Sequence, residues 1–257
     1  MSKLGILFVL GAASLACLAV SFGLASISGE GTQMNFPLSL VDNMRPEDRT
    51  LRQYDETYSF PASEIQEIEL SFVSADVSID HHEGEEIELQ FVGRVSNSGE
   101  RALYAEVRSG RLVVAKEAYR NSRRASSREA RLELRLPRSL AQTLQVNTVS
   151  GDIDLRDLSP RSLRLNSVSG DIKLRLPEIS PEELRVDTVS GSIDLEMDRS
   201  QEFRVSARSV SGRMKSDWSE VVERRSPGSR RMDGTVGSGA MRIEARSVSG
   251  NLNLRAR

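Results

Sequence analysis

Beyond residue 60 the chain alternates apolar and polar residues with a period of two, and the alternation recurs in blocks. In the block from Leu144 to Leu155, Leu144, Val146 and Thr148 fall on one face and Gln145 and Asn147 on the other. Period two is the mark of a strand with one buried face. After Ser150-Gly151 the phase changes, so that Ile153 and Leu155 point inward. A Ser-Gly step with a phase change predicts a corner, because glycine adopts bends that a Cβ forbids. The block returns from Leu163 to Leu174, from Leu184 to Leu195, more weakly from Val205 to Ser216, and again from Ile243 to Leu254. The predicted corner glycines are Gly151, Gly170, Gly191, Gly212 and Gly250, at spacings of 19, 21, 21 and 38. The last gap is twice 19, which predicts a degenerate unit around Asp233-Gly234-Thr235-Val236. An upstream copy from Ile68 to Ile79 has Ala75 in the glycine place, and Ser109-Gly110-Arg111-Leu112 is a fainter echo.

A repeat near 20 residues predicts a solenoid. The fold class is all-β: a single-stranded parallel β-solenoid with rungs of about 20 residues, stacked ~4.8 Å apart around inward ladders of Leu, Val and Ile. One N-terminal apolar helix precedes it. Leu4 to Ile27 is a 24-residue run without charge, long enough to cross a ~30 Å hydrocarbon core. The predicted organisation is a membrane anchor or signal peptide over 1–28, a tether over 29–59 and the repeat domain over 60–257. Lys3 ahead of the apolar run keeps the amino terminus cytoplasmic and sends the body outside, anchored or secreted after cleavage. One outward position reads Asp154, Lys173, Asp194, Lys215 and Asn253 in successive units, a pattern that pairs charges between neighbouring strands.

The copies of Val-Ser-Gly-Asp-Ile, with the upstream strand Leu132-Glu-Leu-Arg-Leu-Pro137, resemble the bacterial putative-adhesin (toastrack-type) family of domains of unknown function. The resemblance covers roughly residues 60–257. It implies a β-solenoid that follows a signal or anchor, and it brings no catalytic motif. Relatives near cell-envelope stress systems imply an accessory or sensing role as the alternative to an adhesin-like one. The chain departs from the family pattern at Ser216–Met232, a long insertion, and at Ala75.

Composition removes several chemistries. The one cysteine, Cys17, lies in the apolar N-terminus, and the two histidines are the adjacent His81 and His82. Disulfides, cysteine zinc sites and a cysteine nucleophile in the body are excluded, as is a multi-histidine metal site. His81-His82-Glu83 reads as a polar turn. Asp152, Asp154, Asp171 and Asp194 read as a solvated face rather than a calcium ladder, whose repeat is nine residues. Ser150, Ser169, Ser190, Ser211 and Ser249 have no base beside them and read as structural hydroxyls. No catalytic residue, metal ligand or cofactor site is predicted, and a carbohydrate-active enzyme on a solenoid is the third and weakest reading.

Charge points to partners. Residues 30–90 carry 15 acidic and 3 basic side chains, and residues 91–257 carry 22 acidic and 31 basic. If sequence distance becomes axial distance, one end is acidic and the other basic. Two Arg-rich loops break the rhythm: 117–131, with Arg120, Arg123 and Arg124, and 216–232, with Trp218, Arg224, Arg225, Arg230 and Arg231. If both project from one side they form a single basic patch with Trp218 as its apolar anchor. The expected partners are the membrane through the N-terminal helix, then anionic envelope polymer, lipid headgroups or another envelope protein, and no nucleic acid. Self-association is the further alternative, through an open last rung at Leu252–Leu254 guarded by Arg255 and Arg257.

Overall fold

The computed structural model describes residues 51–95, 101–116, 127–138, 143–158, 160–177 and 181–257. The apolar run, most of the tether and Arg120, Arg123 and Arg124 lie outside the described residues. Among the described residues no helix is long and apolar enough to cross a membrane, and the one helical element is a single 3-10 turn at Ala62–Glu64.

The chain enters through β1 (Arg52–Pro61) and forms a first strand pair, β2 (Glu67–Ser74) and β3 (Asp76–His82), before β4 (Glu86–Val95). The hairpin of β5 (Leu103–Arg108) and β6 (Arg111–Lys116) follows, then β7 (Ser127–Pro137). The repeat blocks give β8 (Thr143–Ser150) and β9 (Ile153–Arg156), β10 (Ser162–Ser169) and β11 (Ile172–Arg175), β12 (Glu183–Ser190) and β13 (Ile193–Met197), and β14 (Phe203–Ser211) and β15 (Met214–Ser216). A second hairpin, β16 (Val222–Ser226) and β17 (Ser229–Val236), precedes the last pair, β18 (Met241–Ser249) and β19 (Leu252–Ala256).

Each pair gives one strand to a nine-stranded sheet and one to a ten-stranded sheet. Between the sheets lies one apolar core, lined by Leu144, Val146, Ile153 and Leu155 and by the equivalent residues of every other rung. Burying one such Leu or Ile contributes about 1.5–3 kcal/mol. The middle of both sheets is parallel, as the repeat predicts. Three of the four sheet ends are not, the β19–β15 end alone staying parallel, so the fold is a mixed-sheet solenoid rather than a purely parallel one. β1, β4 and β7 run antiparallel, β5 runs antiparallel to β6, and β14, β17 and β16 alternate in direction.

Rung order departs from chain order. The ladder runs β6/β7, β2/β3, β8/β9, β10/β11, β12/β13, β18/β19, β14/β15. The last unit is thus inserted between the third and fourth, and Leu252–Leu254 is an interior rung, not an open edge. Strand β14 cannot keep an open flank for it on the far side, because β17 already pairs there. The expected degenerate unit at Asp233-Gly234 is this antiparallel β17. The echo at Ser109-Gly110 is a tight hairpin turn with φ of 50° and 77°, a geometry that suits two-residue hairpins. The body also begins earlier than residue 60. β1 begins in the segment read as tether, at residues 52–59, and packs Tyr54 and Tyr58 from it, with Phe60, against the core.

The corner glycines stand in one column. A Cβ on Gly170 would lie 2.1 Å from the Gly151 carbonyl oxygen, and one on Gly191 would lie 2.1 Å from that of Gly170. Their φ values of 136° and 138° add strain for any L side chain. Ala75 stands below Gly151 in the column, and its carbonyl oxygen is what a Gly151 Cβ would strike. Ala75 itself is outside the positive-φ residues, so alanine is tolerated there.

Candidate functional site

At four corners the residue after the turn secures the neighbouring rung. Asp76 Oδ1 accepts the Asp152 backbone N–H at 3.0 Å, Asp152 accepts that of Asp171 at 2.8 Å, and Asp171 accepts that of Ser192 at 2.8 Å. Asn251 does the same for Arg213 at 3.0 Å. These aspartates are therefore backbone ligands of the corner, a different role from the solvated salt-bridging face expected for them. Asp154 pairs with Arg156 on its own strand, at 2.6 Å. Asp194 accepts a hydrogen bond from Asn253 at 2.7 Å and meets Arg255 at 3.2 Å. Ser150, Ser169, Ser190, Ser211 and Ser249 expose their side chains, and it is their carbonyls that join the rungs, as in Gly170 N–H to Ser190 O at 3.2 Å. The buried hydroxyls are instead those of Thr148, Ser167, Thr188, Ser209 and Ser247, two residues earlier and inward.

The histidines belong to a turn. His82 Nδ1 accepts the Gly84 N–H at 3.1 Å, and its Nε2 lies 2.7 Å from the Glu86 carbonyl oxygen. Arg138 reaches both His81 and Glu83. No group of three metal-ligating side chains occurs among the described residues.

Trp218 is not a surface anchor. It is 5% exposed, stands edge-on to Phe203 with ring centroids 5.0 Å apart, and donates its indole N–H to the Arg199 carbonyl at 3.4 Å. With Val221 and Met232 it closes the core at the β14/β15 end. Residues 117–126 lie outside the described residues, but the strands that flank the two Arg-rich segments stand far apart. The strands flanking 117–126 are the first rung of the ladder and β14/β15 is the seventh, which separates them by about 30 Å.

What the structure does gather is a basic region on the outer face of the ten-stranded sheet, where β16, β17, β14 and β18 are adjacent. Arg224 pairs in register with Arg231, Arg231 with Arg208, and Arg208 with Arg246. All four are exposed, Arg224 to 69%. Arg224 and Arg231 share Asp233, while Arg246 lies 4.0 Å from Asp187 and 3.9 Å from Glu244. Arg208, in the middle, has no ion-pair partner among the described residues. Arg225 and Arg230 fall one register position away and share Glu223, at 3.1 and 3.5 Å. Charge-assisted bonding to Glu223 and Asp233 raises the affinity of Arg225 and Arg231 for their protons. Beside the arginine row run the half-exposed Val210, Val248 and Val189.

Arg208 and Arg246 were invisible as site residues in the sequence. They sit in two copies of Ala-Arg-Ser-Val-Ser-Gly, at the place where earlier units carry Asn147, Asn166 and Asp187. That substitution was the available signal, but its meaning depends on β18 lying against β14.

A family model described as Toastrack DUF4097 matches residues 60–255. No curated protein matches the chain. Among solved structures, one from Clostridium sporogenes, described as a "putative cell adhesion protein", is 12% identical with a TM-score of 0.56, covering 80% of this chain and all of its own. A "putative adhesin" from Bacteroides fragilis is 14% identical with a TM-score of 0.42, covering 79% of this chain and 97% of its own.

Proposed function

This chain belongs to the Toastrack DUF4097 family, and from that premise we propose that it is a non-enzymatic, adhesin-like protein of the cell envelope. In this reading the N-terminal apolar run holds or exports the body, and the solenoid presents a rigid face to anionic envelope polymer or lipid headgroups. The observation that carries the reading is the gathering of exposed guanidinium groups from four adjacent strands on one sheet face. Such a field attracts anions at a distance set by ionic strength. A solenoid built from repeated corners suits display, because every outward position recurs in register along the ladder.

The test is binding of the full chain to anionic vesicles, with neutral vesicles as baseline, and to acidic polysaccharide in neutral detergent, each across a salt series. Binding at low salt that fades as salt rises is expected. Replacing Arg224, Arg225, Arg230 and Arg231 together with serine should weaken it. No excess binding to any anionic partner at low salt would overturn the proposal.

A further inference from the structure

From the register of the arginine row we infer that it is a binding track for an extended acidic polysaccharide bearing one carboxylate per sugar, with Arg208 at its centre. The inference rests on the proposed anion-binding role and goes further by naming the ligand class and the line along which it lies.

Arg224, Arg231, Arg208 and Arg246 stand on four neighbouring strands, directly opposite one another at each step. Strand spacing puts successive guanidinium attachment points ~4.8 Å apart, so the row is about 14 Å long. Like charges directly opposite across a ladder are destabilising. Elsewhere this row relaxes into Asp187, Asn166, Asn147 and Ser71. The cost is therefore concentrated at one end, and it is greatest at Arg208, with an arginine on each side and no carboxylate of its own. A carboxylate lying between two such arginines accepts hydrogen bonds from both, and the planar guanidinium suits it.

In an extended 1,4-linked uronate chain the carboxylates facing one side recur at every second sugar, about two strand spacings, so one sits between Arg224 and Arg231 and the next between Arg208 and Arg246. The surroundings favour a single chain over a membrane. The neighbouring row on one side holds Asp233, Ser206 and Glu244, about 7 Å away along the strands. A plane of anionic headgroups would have to cover those carboxylates, whereas a chain one sugar wide leaves them in water. On the other side Val210, Val248 and Val189 offer C–H surface to the ring faces.

Polygalacturonate is the probe, with the full chain in neutral detergent at low salt. Arg208→Ser and Arg246→Ser should each weaken binding about five-fold, the worth of roughly one exposed ion pair. Arg175→Ser, on the outer face of the other sheet, should leave it unchanged. Arg208→Ser should also keep or slightly raise the thermal midpoint, since it relieves repulsion; a lowered midpoint would overturn the claim that the row is a cost to the fold. Binding of polygalacturonate that is indifferent to Arg208 would overturn the track while leaving anion binding intact. So would binding confined to anionic vesicles. Absence of binding to both would overturn the broader proposal with it.

Discussion

At the scale of single residues, two positions test the physics most directly. Gly170 cannot carry a Cβ without striking the Gly151 carbonyl at 2.1 Å, and backbone cannot move aside as a flexible side chain would. Gly170→Ala is expected to cost more than about 3 kcal/mol, by clash and by strain at positive φ. Ala75→Gly, at the tolerant end of the same column, should cost under about 1 kcal/mol, the entropic penalty of glycine in a strand region. Equal denaturation midpoints would contradict the stacked corner. Lys116 is the second position. It continues the inward alternation of Leu112 and Val114, is 5% exposed, and burial pulls its pKa down to about 8. Below pH 8 the folded state holds a buried ammonium that the unfolded chain keeps in water. Between about 8 and 10.5 the unfolded chain binds more protons, so stability rises with pH over that window. Lys116→Met should be more stable than the parent at pH 7, and the difference should shrink as pH approaches 10.5. A constant difference across that range would contradict the burial.

At the scale of elements, the corner and the end-closing hairpin differ in how they are specified. Ile172 sits in the inward ladder of β11 with no exposed surface. Ile172→Asp puts an unpaired charge in the core at a cost of several kcal/mol. Asp154→Ala removes only an exposed pair worth under ~1 kcal/mol. Equal effects on the denaturation midpoint would contradict the assigned facing. The segment 216–232 reads as an insertion because it lacks the repeat, yet its Trp218 fills the core end against Phe203. Trp218→Ala should cost about 3–5 kcal/mol. Loss of near-ultraviolet circular dichroism from the single tryptophan is not informative in that variant, so urea titration is the measurement.

At the scale of the whole molecule, the insertion of the last rung links the chain's end to its middle. If rungs followed chain order, removing residues 241–257 would peel off a terminal unit and leave a shorter solenoid. Because β18 and β19 lie between β12/β13 and β14/β15, the truncation removes an interior rung and detaches the Trp218 cap with it. Cooperative urea unfolding should be lost in this variant; a sharp transition at a modestly lower midpoint would contradict the observed order. The same order alters the charge argument. Acidic β1–β4 and the basic hairpin do occupy opposite ends of the ladder, but Arg255 and Arg257 belong to an interior rung and guard no edge.

The sequence by itself determined the strand period, the Ser-Gly corners, the rung length and the all-β class. These arise from contacts within one unit or between identical neighbours: inward Leu and Ile, and a glycine where a Cβ would strike the rung below. It also carried the corner aspartates Asp76, Asp152 and Asp171, although not their role, since a carboxylate bound to the next rung's N–H looks the same in sequence as a solvated one. Tertiary structure alone decided which rung lies beside which. Repeats with near-identical edges are interchangeable partners, and the five residues of 198–202 can span one rung or two at ~3.3 Å each. That choice brought Arg246 beside Arg208, buried Trp218 and turned Asp233-Gly234 into an antiparallel strand. The basic face was therefore legible as composition but not as geometry, because register between distant strands is fixed by the closure of the core and not by any local pattern.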